Sequence, residues 1–358
     1  MSFVLAFLGF ALLIVLHELG HFAAAKAVGM RVERFSLFFP PLLGRVRRGE
    51  TEYAIGAIPL GGYVKITGMN PNEPIPPEHA HRAYYRQKVW KRIVVIGAGP
   101  AVNIVLAFLI LWIWFWANGL GDTTRDVGAV ERNWPAAGQL QPGDTILAVD
   151  GRSGDTAVLA QQVASHQCAA SPPTPRCRAA TPAVVRVERD GRVLTLRLTP
   201  EFDPVAGRTR LGYRFDTVVI PIGPVQAAGE SVSEMWFFTS RTVSTIAQLF
   251  KPEVRDDLSG VVGSYEVTRQ TIELDFERAI LLLGIISLSL GVINLFPFLP
   301  LDGGHIFWAV AEKVRGRAIP FSVMERAGFV GFVLVIGLFL IGFTNDIDRL
   351  TGEGFGVR

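Results

Sequence analysis

Four long apolar segments constrain the fold of this chain more than any other feature of its sequence. The first covers residues 3–16 and continues, through a short polar interruption, to about Met30. The others cover 93–117, 279–301 and 327–343. A helix needs about 17–25 apolar residues to cross a bilayer, so each segment predicts one membrane span. Hydrophobic residues make up 49% of the chain and charged residues only 19%, which is unusual for a soluble domain of this size.

The loop after the first span is basic, and its charge predicts the orientation of the chain. Residues 31–92 contain eleven Lys and Arg against five Asp and Glu, an excess typical of cytoplasmic loops. We therefore expect the N-terminus outside and residues 118–278 outside the cytoplasm. No Lys or Arg precedes Lys26, so the first segment is predicted to be a retained span rather than a cleaved signal peptide. The basic residues are not interleaved with stacking aromatic residues, so nucleic-acid binding is not expected.

The sequence thus predicts a polytopic α-helical membrane protein with four transmembrane helices and an inserted, mostly-β domain. Its location is predicted to be the cell membrane, with the inserted domain outside. The predicted boundaries are 1–30, 93–117, 279–301 and 323–345 for the helices, 31–92 and 302–322 for cytoplasmic loops, 118–215 for the inserted domain, 216–278 for an amphipathic helical region, and 346–358 for a C-terminal tail.

The extracytoplasmic part shows three local patterns. Asp190-Gly191 lies between two alternating strands and predicts a β-hairpin, with a short helix expected earlier, at 156–165. Residues 224–250 have apolar positions at helical spacing, and this helix could pack on the domain or lie on the membrane surface. Cys168 and Cys177 could form a disulfide in an oxidising compartment or remain free thiols.

The motif His17-Glu18-Leu19-Gly20-His21 lies inside the first apolar segment. On a helix the two histidines are one turn apart on the same face, so both imidazoles can reach one metal ion. Zinc lowers the pKa of bound water to about 7, and Glu18, which is not a ligand, can accept a proton from that water. Ionisable groups at membrane depth cost about 2.5–3.5 kcal/mol each on insertion scales, so they usually mark function.

A third metal ligand is predicted in the stretch 294–305. Pro297 and Pro300 prevent a regular helix there, and broken helices at membrane depth occur where the backbone lines a cavity. Asp302 is the favoured ligand, although it could instead cap a helix at 304–314, and His305 is a rival. Asn294 is placed to hydrogen-bond a substrate backbone or an oxyanion.

The stretch 51–70 is strand-like, glycine-rich and more apolar than a loop requires. Apolar strands can enter the membrane only where protein covers their backbone polar groups. The residues alone favour a small peripheral hairpin over one that dips into the membrane.

Several of these motifs together resemble the site-2 protease family of intramembrane zinc metalloproteases, in its bacterial branch with an inserted PDZ domain. The matching stretches, which occur in the family's order over almost the whole chain, are HELGH (17–21), IPLGGYVK (58–65), AGPAVN (98–103), PAAGQLQPGDTILAVDG (135–151) and INLFPFLPLDGGH (293–305).

This resemblance implies a site as well as a fold. It implies His17, His21 and Asp302 as zinc ligands and Glu18 as the general base. It also implies that Asn294, Pro297 and Asn103 hold the substrate strand, and that 51–70 is a re-entrant β-hairpin pairing with substrate through Gly61, Gly62 and Tyr63. A helical peptide bond is shielded, and pairing with a strand edge satisfies the backbone groups that unwinding frees.

The sequence departs from the family's pattern in two places. Phe38-Phe39-Pro40 stands where the family usually has Gly-Phe-Gly, which puts the local turn in question. There is one PDZ-like stretch rather than the two of some relatives.

The predicted activity is cleavage of single-span membrane proteins within or near their transmembrane segments. The resemblance implies anti-sigma factors already trimmed by a site-1 protease, or remnant signal peptides, as substrates. The PDZ-like domain could bind a new C-terminus or exclude bulky substrates. Two other functions remain open: a non-catalytic membrane scaffold, which the intact Glu18 argues against, and a redox enzyme, because two His and one carboxylate also bind non-haem iron.

Overall fold

The computed structural model describes residues 1–70, 72–168, 172–204, 206–249, 251, 255 and 258–352. The chain divides into two units. The helical unit comprises Met1–Phe115 and Gly223–Arg358, and the inserted unit comprises Trp116–Ile222. The predicted cysteine-bearing loop and the C-terminal tail fall partly outside the described residues.

Within the described residues, four helices of the helical unit are long and apolar enough to cross a membrane: α1 (Ser2–Ala27), α2 (Val89–Asn118), α6 (Phe276–Asn294) and α8 (Phe321–Thr351). This confirms four apolar helices at the four predicted segments. The two largest differences from the predicted boundaries are at the ends of the last two of these helices. Helix α6 ends at Asn294 rather than 301, because the following stretch contains Pro297 and Pro300, and α8 continues past 345 to Thr351.

A β-hairpin follows α1. Strand β1 (Val32–Arg48) pairs antiparallel with β2 (Thr51–Ile66). The prediction of a hairpin within 51–70 is wrong in extent, since residues 51–66 form one strand and its partner is the unpredicted β1. The turn lies earlier than expected because Gly49 adopts φ 62°, and Arg48 pairs directly with Thr51 across a two-residue turn.

Three further α-helices lie in the described part of the helical unit. Helix α4 (Pro224–Ala247) corresponds to the helix predicted at 224–250. It packs on α6, and its Trp236 is 71% exposed. Helix α5 (Val261–Leu274) packs on α1, α6 and α8. Helix α7 (Asp302–Arg315) follows the break after α6.

The inserted unit is a five-stranded sheet with one helix. Its strand order is β6-β5-β4-β3-β9, with bounds Leu120–Val130 (β3), Thr145–Val149 (β4), Ala183–Arg189 (β5), Arg192–Leu198 (β6) and Tyr213–Ile220 (β9). A small ribbon of β7 (Glu201–Asp203) and β8 (Arg208–Arg210) precedes β9, and helix α3 is Thr156–Ala164. Leu159 and Val163 of α3 belong to its buried core with Val127, Ile146 and Val185.

Two sequence predictions for this unit can be compared with its strands. Asp190 and Gly191 have φ 50° and 73°, and Arg189 pairs with Arg192, so the predicted hairpin turn is present. The boundary predicted at 215 lies inside β9. This strand was missed because it is at the edge of the sheet and follows a short ribbon, and its sequence has no strong strand pattern. The compact unit extends to Ile222.

Candidate metal centre

Three side chains from α1 and α7 converge on one point in the helical unit. The Nε2 atoms of His17 and His21 are 3.2 Å apart, and Oδ2 of Asp302 lies 3.2 Å from the first and 3.3 Å from the second. Both histidines are 7% exposed. Within the described part of the chain, this is the group of His, Cys, Asp and Glu side chains that could hold a metal ion.

The spacing of these atoms fits a tetrahedral zinc ion. Nitrogen and oxygen ligands at about 2.0–2.1 Å from zinc lie about 3.3 Å from one another in a tetrahedron. Asp302 Oδ2 is buried without a hydrogen-bond donor. Two imidazoles and a carboxylate are also a normal donor set for catalytic zinc, which takes three protein ligands and keeps a fourth position open.

A backbone carbonyl sets the orientation of His21. Its Nδ1 lies 2.9 Å from the carbonyl oxygen of Val95 on α2, so Nδ1 carries the proton and Nε2 is free to act as a ligand. His17 Nδ1 is buried and has no such partner. The Val95 contact could not be predicted from the residue types, because every residue has a backbone carbonyl.

Helices α1 and α2 approach closely beside the metal ligands. A Cβ atom on Gly99 would lie 2.3 Å from His21 Nε2, and one on Gly20 would lie 2.6 Å from the Ala98 carbonyl oxygen. Gly99 therefore provides the space that the His21 ring occupies. Sequence reasoning noted the AGPAVN stretch but did not assign a role to this glycine.

Asp302 reaches the histidines because the chain breaks between α6 and α7. The residues between them, 295–301, are called the proline segment here, and turns within it include Leu301 N to Phe298 O at 2.8 Å. Helix α7 begins at Asp302, with Leu301 in the capping position and no side-chain cap. The alternative in which Asp302 caps a helix starting at 304 is therefore wrong.

An ion pair joins the first turn of α2 to the C-terminal part of α7. Arg92 is 7% exposed, and its two terminal nitrogens donate to the two carboxylate oxygens of Glu312 at 3.0 and 2.7 Å. Such a two-pronged pair fixes direction as well as distance. His305, the rival ligand, is not part of the metal-ligand group.

The β-hairpin brings β2 against Glu18. A Cβ atom on Gly62 would lie 2.9 Å from Glu18 Cγ and 3.0 Å from the Ser36 carbonyl oxygen. A Cβ on Gly61 would lie 2.7 Å from the Phe39 ring, which itself stacks on Tyr63 with 6.2 Å between ring centroids. The glycines let the strand approach the predicted base.

The remaining predicted substrate residues lie around the α2–α6 crossing. Asn103 is fully buried, and neither atom of its side-chain amide has a hydrogen-bond partner. Asn294 is half-buried and donates from Nδ2 to the Leu290 carbonyl oxygen at 3.0 Å, and Pro297 is exposed. Gly291 lies about one turn before Asn294. A Cβ atom on Gly291 would lie 3.0 Å from the Pro100 carbonyl oxygen.

The turn of the hairpin is held by ion pairs to Glu50, which lies outside the membrane-spanning helices. Arg82 donates to both carboxylate oxygens of Glu50, at 2.6 and 2.9 Å, and Lys26 donates to the same group. These hydrogen bonds, first from Arg82 and then from Lys26, lower the pKa of Glu50 from 4.5 to about 2. Burial of Tyr84 in the neighbouring turn raises the pKa of its hydroxyl.

The two cysteines lie together in the inserted unit. Their Cα atoms are 5.9 Å apart, a separation that a disulfide bridges. We retain the disulfide as a proposal.

Comparison with known proteins assigns the chain to a family. The model of peptidase family M50 matches residues 5–338. A protein of Brucella suis, provisionally named a zinc metalloprotease, is 30% identical over 93% of this chain and 92% of its own length. A similarly named protein of Rhizobium meliloti is 29% identical over 95% of both chains. The regulator of sigma-E protease RseP of Escherichia coli is 28% identical over 98% of both chains.

The chain therefore belongs to peptidase family M50, the site-2 protease family of zinc metalloproteases. It is a multi-pass membrane metalloprotease whose cofactor is zinc. The scaffold and iron-dependent redox alternatives do not fit this family.

Proposed function

We propose that this chain is an intramembrane protease in which His17, His21 and Asp302 hold zinc and Glu18 is the general base. The convergence of the three ligand atoms within 3.3 Å, on a helix apolar enough to span a membrane, is the observation that carries the proposal. Its substrates are single-span membrane proteins, cut within or near their transmembrane segments.

The residues around the metal ligands would each perform one part of the reaction. Zinc, when bound, supplies a Lewis acid and lowers the pKa of water to about 7. A carboxylate oxygen of Glu18 accepts the proton of the attacking water. The hydrogen bond to Val95 keeps His21 Nε2 directed at the metal position.

The hairpin would hold the substrate in an extended form. Strand β2 passes Glu18 at Gly62, so a peptide paired with that strand would present its backbone beside the base. Asn294 and the buried, unpartnered amide of Asn103 would hydrogen-bond backbone groups that unwinding exposes, and Pro297 would help hold the break open.

The inserted unit would act on substrate selection as a PDZ-like domain. A cleft of about 390 Å³ lies between α3 and the β8–β9 segment, lined by apolar residues such as Val163 and Leu211 and by Arg208, Arg210 and Arg214. Apolar walls with arginines suit a peptide C-terminus. We therefore favour binding of a new C-terminus over exclusion by size.

Orientation and substrates follow from the same proposal. The excess of basic residues in 31–92 supports a cytoplasmic position for that loop, with the N-terminus and the inserted unit outside. Substrates resembling anti-sigma factors, first cut by a site-1 protease, or remnant signal peptides fit a protease of this class and the RseP relative.

The test is cleavage of a tagged single-span reporter in vesicles by wild type and by Glu18→Gln, with bound zinc measured in both. We expect cleavage to fall by at least about 100-fold in Glu18→Gln, within the range for loss of a general base, while zinc content stays the same. His17→Ala is the contrasting variant, and it should lose zinc as well as cleavage. A Glu18→Gln protein that cleaves like wild type would disprove the assignment of the base.

A further inference from the structure

Helix α8 approaches the proline segment most closely at one glycine, Gly331. Three residues of α8 are buried, namely Gly331, Gly342 and Asp346. The last two face the start of α5, where Asp346 accepts hydrogen bonds from the backbone of Gly260 and Gly263. Gly331 instead faces the proline segment.

The contact at Gly331 is with backbone rather than side chain. A Cβ atom on Gly331 would lie 1.6 Å from the Leu299 carbonyl oxygen and 2.8 Å from its carbonyl carbon. Real Cβ atoms do not approach other atoms this closely, and a carbonyl cannot rotate aside as a side chain can. Any side chain at position 331 must therefore move the proline segment or α8.

The proline segment has little room to move on its other side. A Cβ on Gly303 would lie 2.1 Å from the Leu295 carbonyl oxygen, and one on Gly304 would lie 2.5 Å from Leu299 N. The segment is thus confined between the first turn of α7 and α8. Leu299 is three residues before Asp302, so a displacement at Leu299 is passed to Asp302 through three peptide bonds.

We propose that Gly331 is a positioning residue for Asp302. Because Gly331 has no side chain, α8 can pack directly against the backbone of the proline segment. This packing holds the Asp302 carboxylate 3.2–3.3 Å from both histidine Nε2 atoms. The inference rests on the proposed function, because it takes Asp302 as the third zinc ligand. Groups that orient a metal ligand typically contribute about 10–100-fold to metal affinity.

The same helix provides matched controls for the test. Gly337 has no atom within 4 Å of an added Cβ, and an added Cβ on Gly328 meets only the Leu299 side chain, at 3.7 Å or more. Each of three variants adds one methyl group to α8: Gly331→Ala, Gly328→Ala and Gly337→Ala. They differ only in which atoms the added methyl group contacts.

The experiment measures zinc affinity of the purified full chain by competition with a chromogenic chelator, together with reporter cleavage. We expect Gly331→Ala to bind zinc about 10-fold or more weakly. Its cleavage should recover on addition of excess zinc, a rescue that general unfolding does not give. The two control variants should match wild type in both measurements. Equal zinc affinity in Gly331→Ala and wild type overturns the inference, whereas a wild type that binds no zinc overturns the proposed function instead.

A second pair of residues keeps the inference testable if Gly331→Ala fails to fold. Leu299→Cys with Gly328→Cys places two Cβ atoms about 3.7 Å apart, within the range of a disulfide. We expect the oxidised double variant to cross-link and to retain the zinc affinity of wild type. Absence of the cross-link, or loss of zinc on oxidation that reduction restores, contradicts the proposed seating of the proline segment.

Discussion

Gly99 shows how a residue without a functional group can decide whether a metal centre forms. An alanine there would place its methyl carbon 2.3 Å from His21 Nε2, the atom that we assign to zinc. We expect Gly99→Ala to lose most of its bound zinc and its cleavage activity. Gly97→Ala is the control on the same helix, because its added methyl meets only Ile306, at 3.8 Å. Zinc content of the two purified variants, measured by atomic absorption, decides the point, and equal zinc in both would contradict it.

Phe38 is strained at the position where the family usually has glycine. Its φ of 69° is in the left-handed region, which costs a residue with a Cβ about 1–2 kcal/mol. Phe38→Gly and Phe38→Ala both lose the contact with the Phe7 ring, but only glycine removes the strain. We expect Phe38→Gly to be more stable than Phe38→Ala by about 1 kcal/mol. Thermal unfolding in detergent tests this, and an alanine variant at least as stable as the glycine variant contradicts it.

The sequence indicated the proposed ligands more clearly than their surroundings. His17 and His21 could be read directly, because helical spacing brings i and i+4 onto one face. Asp302 was a less direct choice: the HELGH motif favoured it as a third ligand over a helix cap or His305, but the proline segment has no regular period that would fix its position. Gly99, Gly331 and the Val95 carbonyl could not be predicted, because their effects depend on close approaches between distant parts of the chain.

At the scale of elements, one strand of the hairpin could be predicted from the sequence and the other could not. The apolar strand at 51–66 was visible, but β1 combines basic residues with two consecutive prolines and lacks clean alternation. Register shifts along β1 remove the period-2 signal further. The end of α6 was predictable, by contrast, because proline acts locally on the helix that precedes it.

Ion pairs at the turn of the hairpin predict a pH dependence. The pKa of Glu50 is about 2 in the folded chain and 4.5 ordinarily, so its stabilising contribution is complete above about pH 4.5 and is lost as the pH falls toward 2. The group is partly exposed, so the contribution is on the order of 1 kcal/mol. We expect wild type to be more stable than Glu50→Gln at pH 6, with the difference shrinking below pH 4.5. Melting temperatures of both proteins between pH 3 and 6 test this, and a constant difference contradicts it.

At the scale of the whole molecule, the proposed metal ligands and base all belong to the helical unit, and the inserted unit has its own core. Leu120 and Ile220 are paired at the start of β3 and the end of β9, so their Cα atoms are about 4.5–5.5 Å apart. A short Gly-Ser linker could therefore replace residues 121–219.

We expect this deletion variant to bind zinc as wild type does and to cleave a reporter with a short outer segment. Loss of zinc would show that the inserted unit is required for the metal centre. Adding Glu18→Gln to the deletion variant provides the inactive control. A second reporter, carrying a folded outer domain, separates the two proposed roles of the unit: faster cleavage than by wild type would indicate exclusion by size rather than binding of a C-terminus.

The hydrogen bond between His21 and Val95 also bears on how this site can change over generations. The acceptor is a main-chain carbonyl, so no exchange of one amino acid for another at position 95 deletes it. A substitution at position 95 can therefore weaken this contact only by displacing the backbone of α2. Nucleotide changes in the codon of Val95 therefore leave the acceptor that sets the His21 tautomer in place. Changes in the codons of the glycines beside the site, by contrast, add a side chain where there is no room for one.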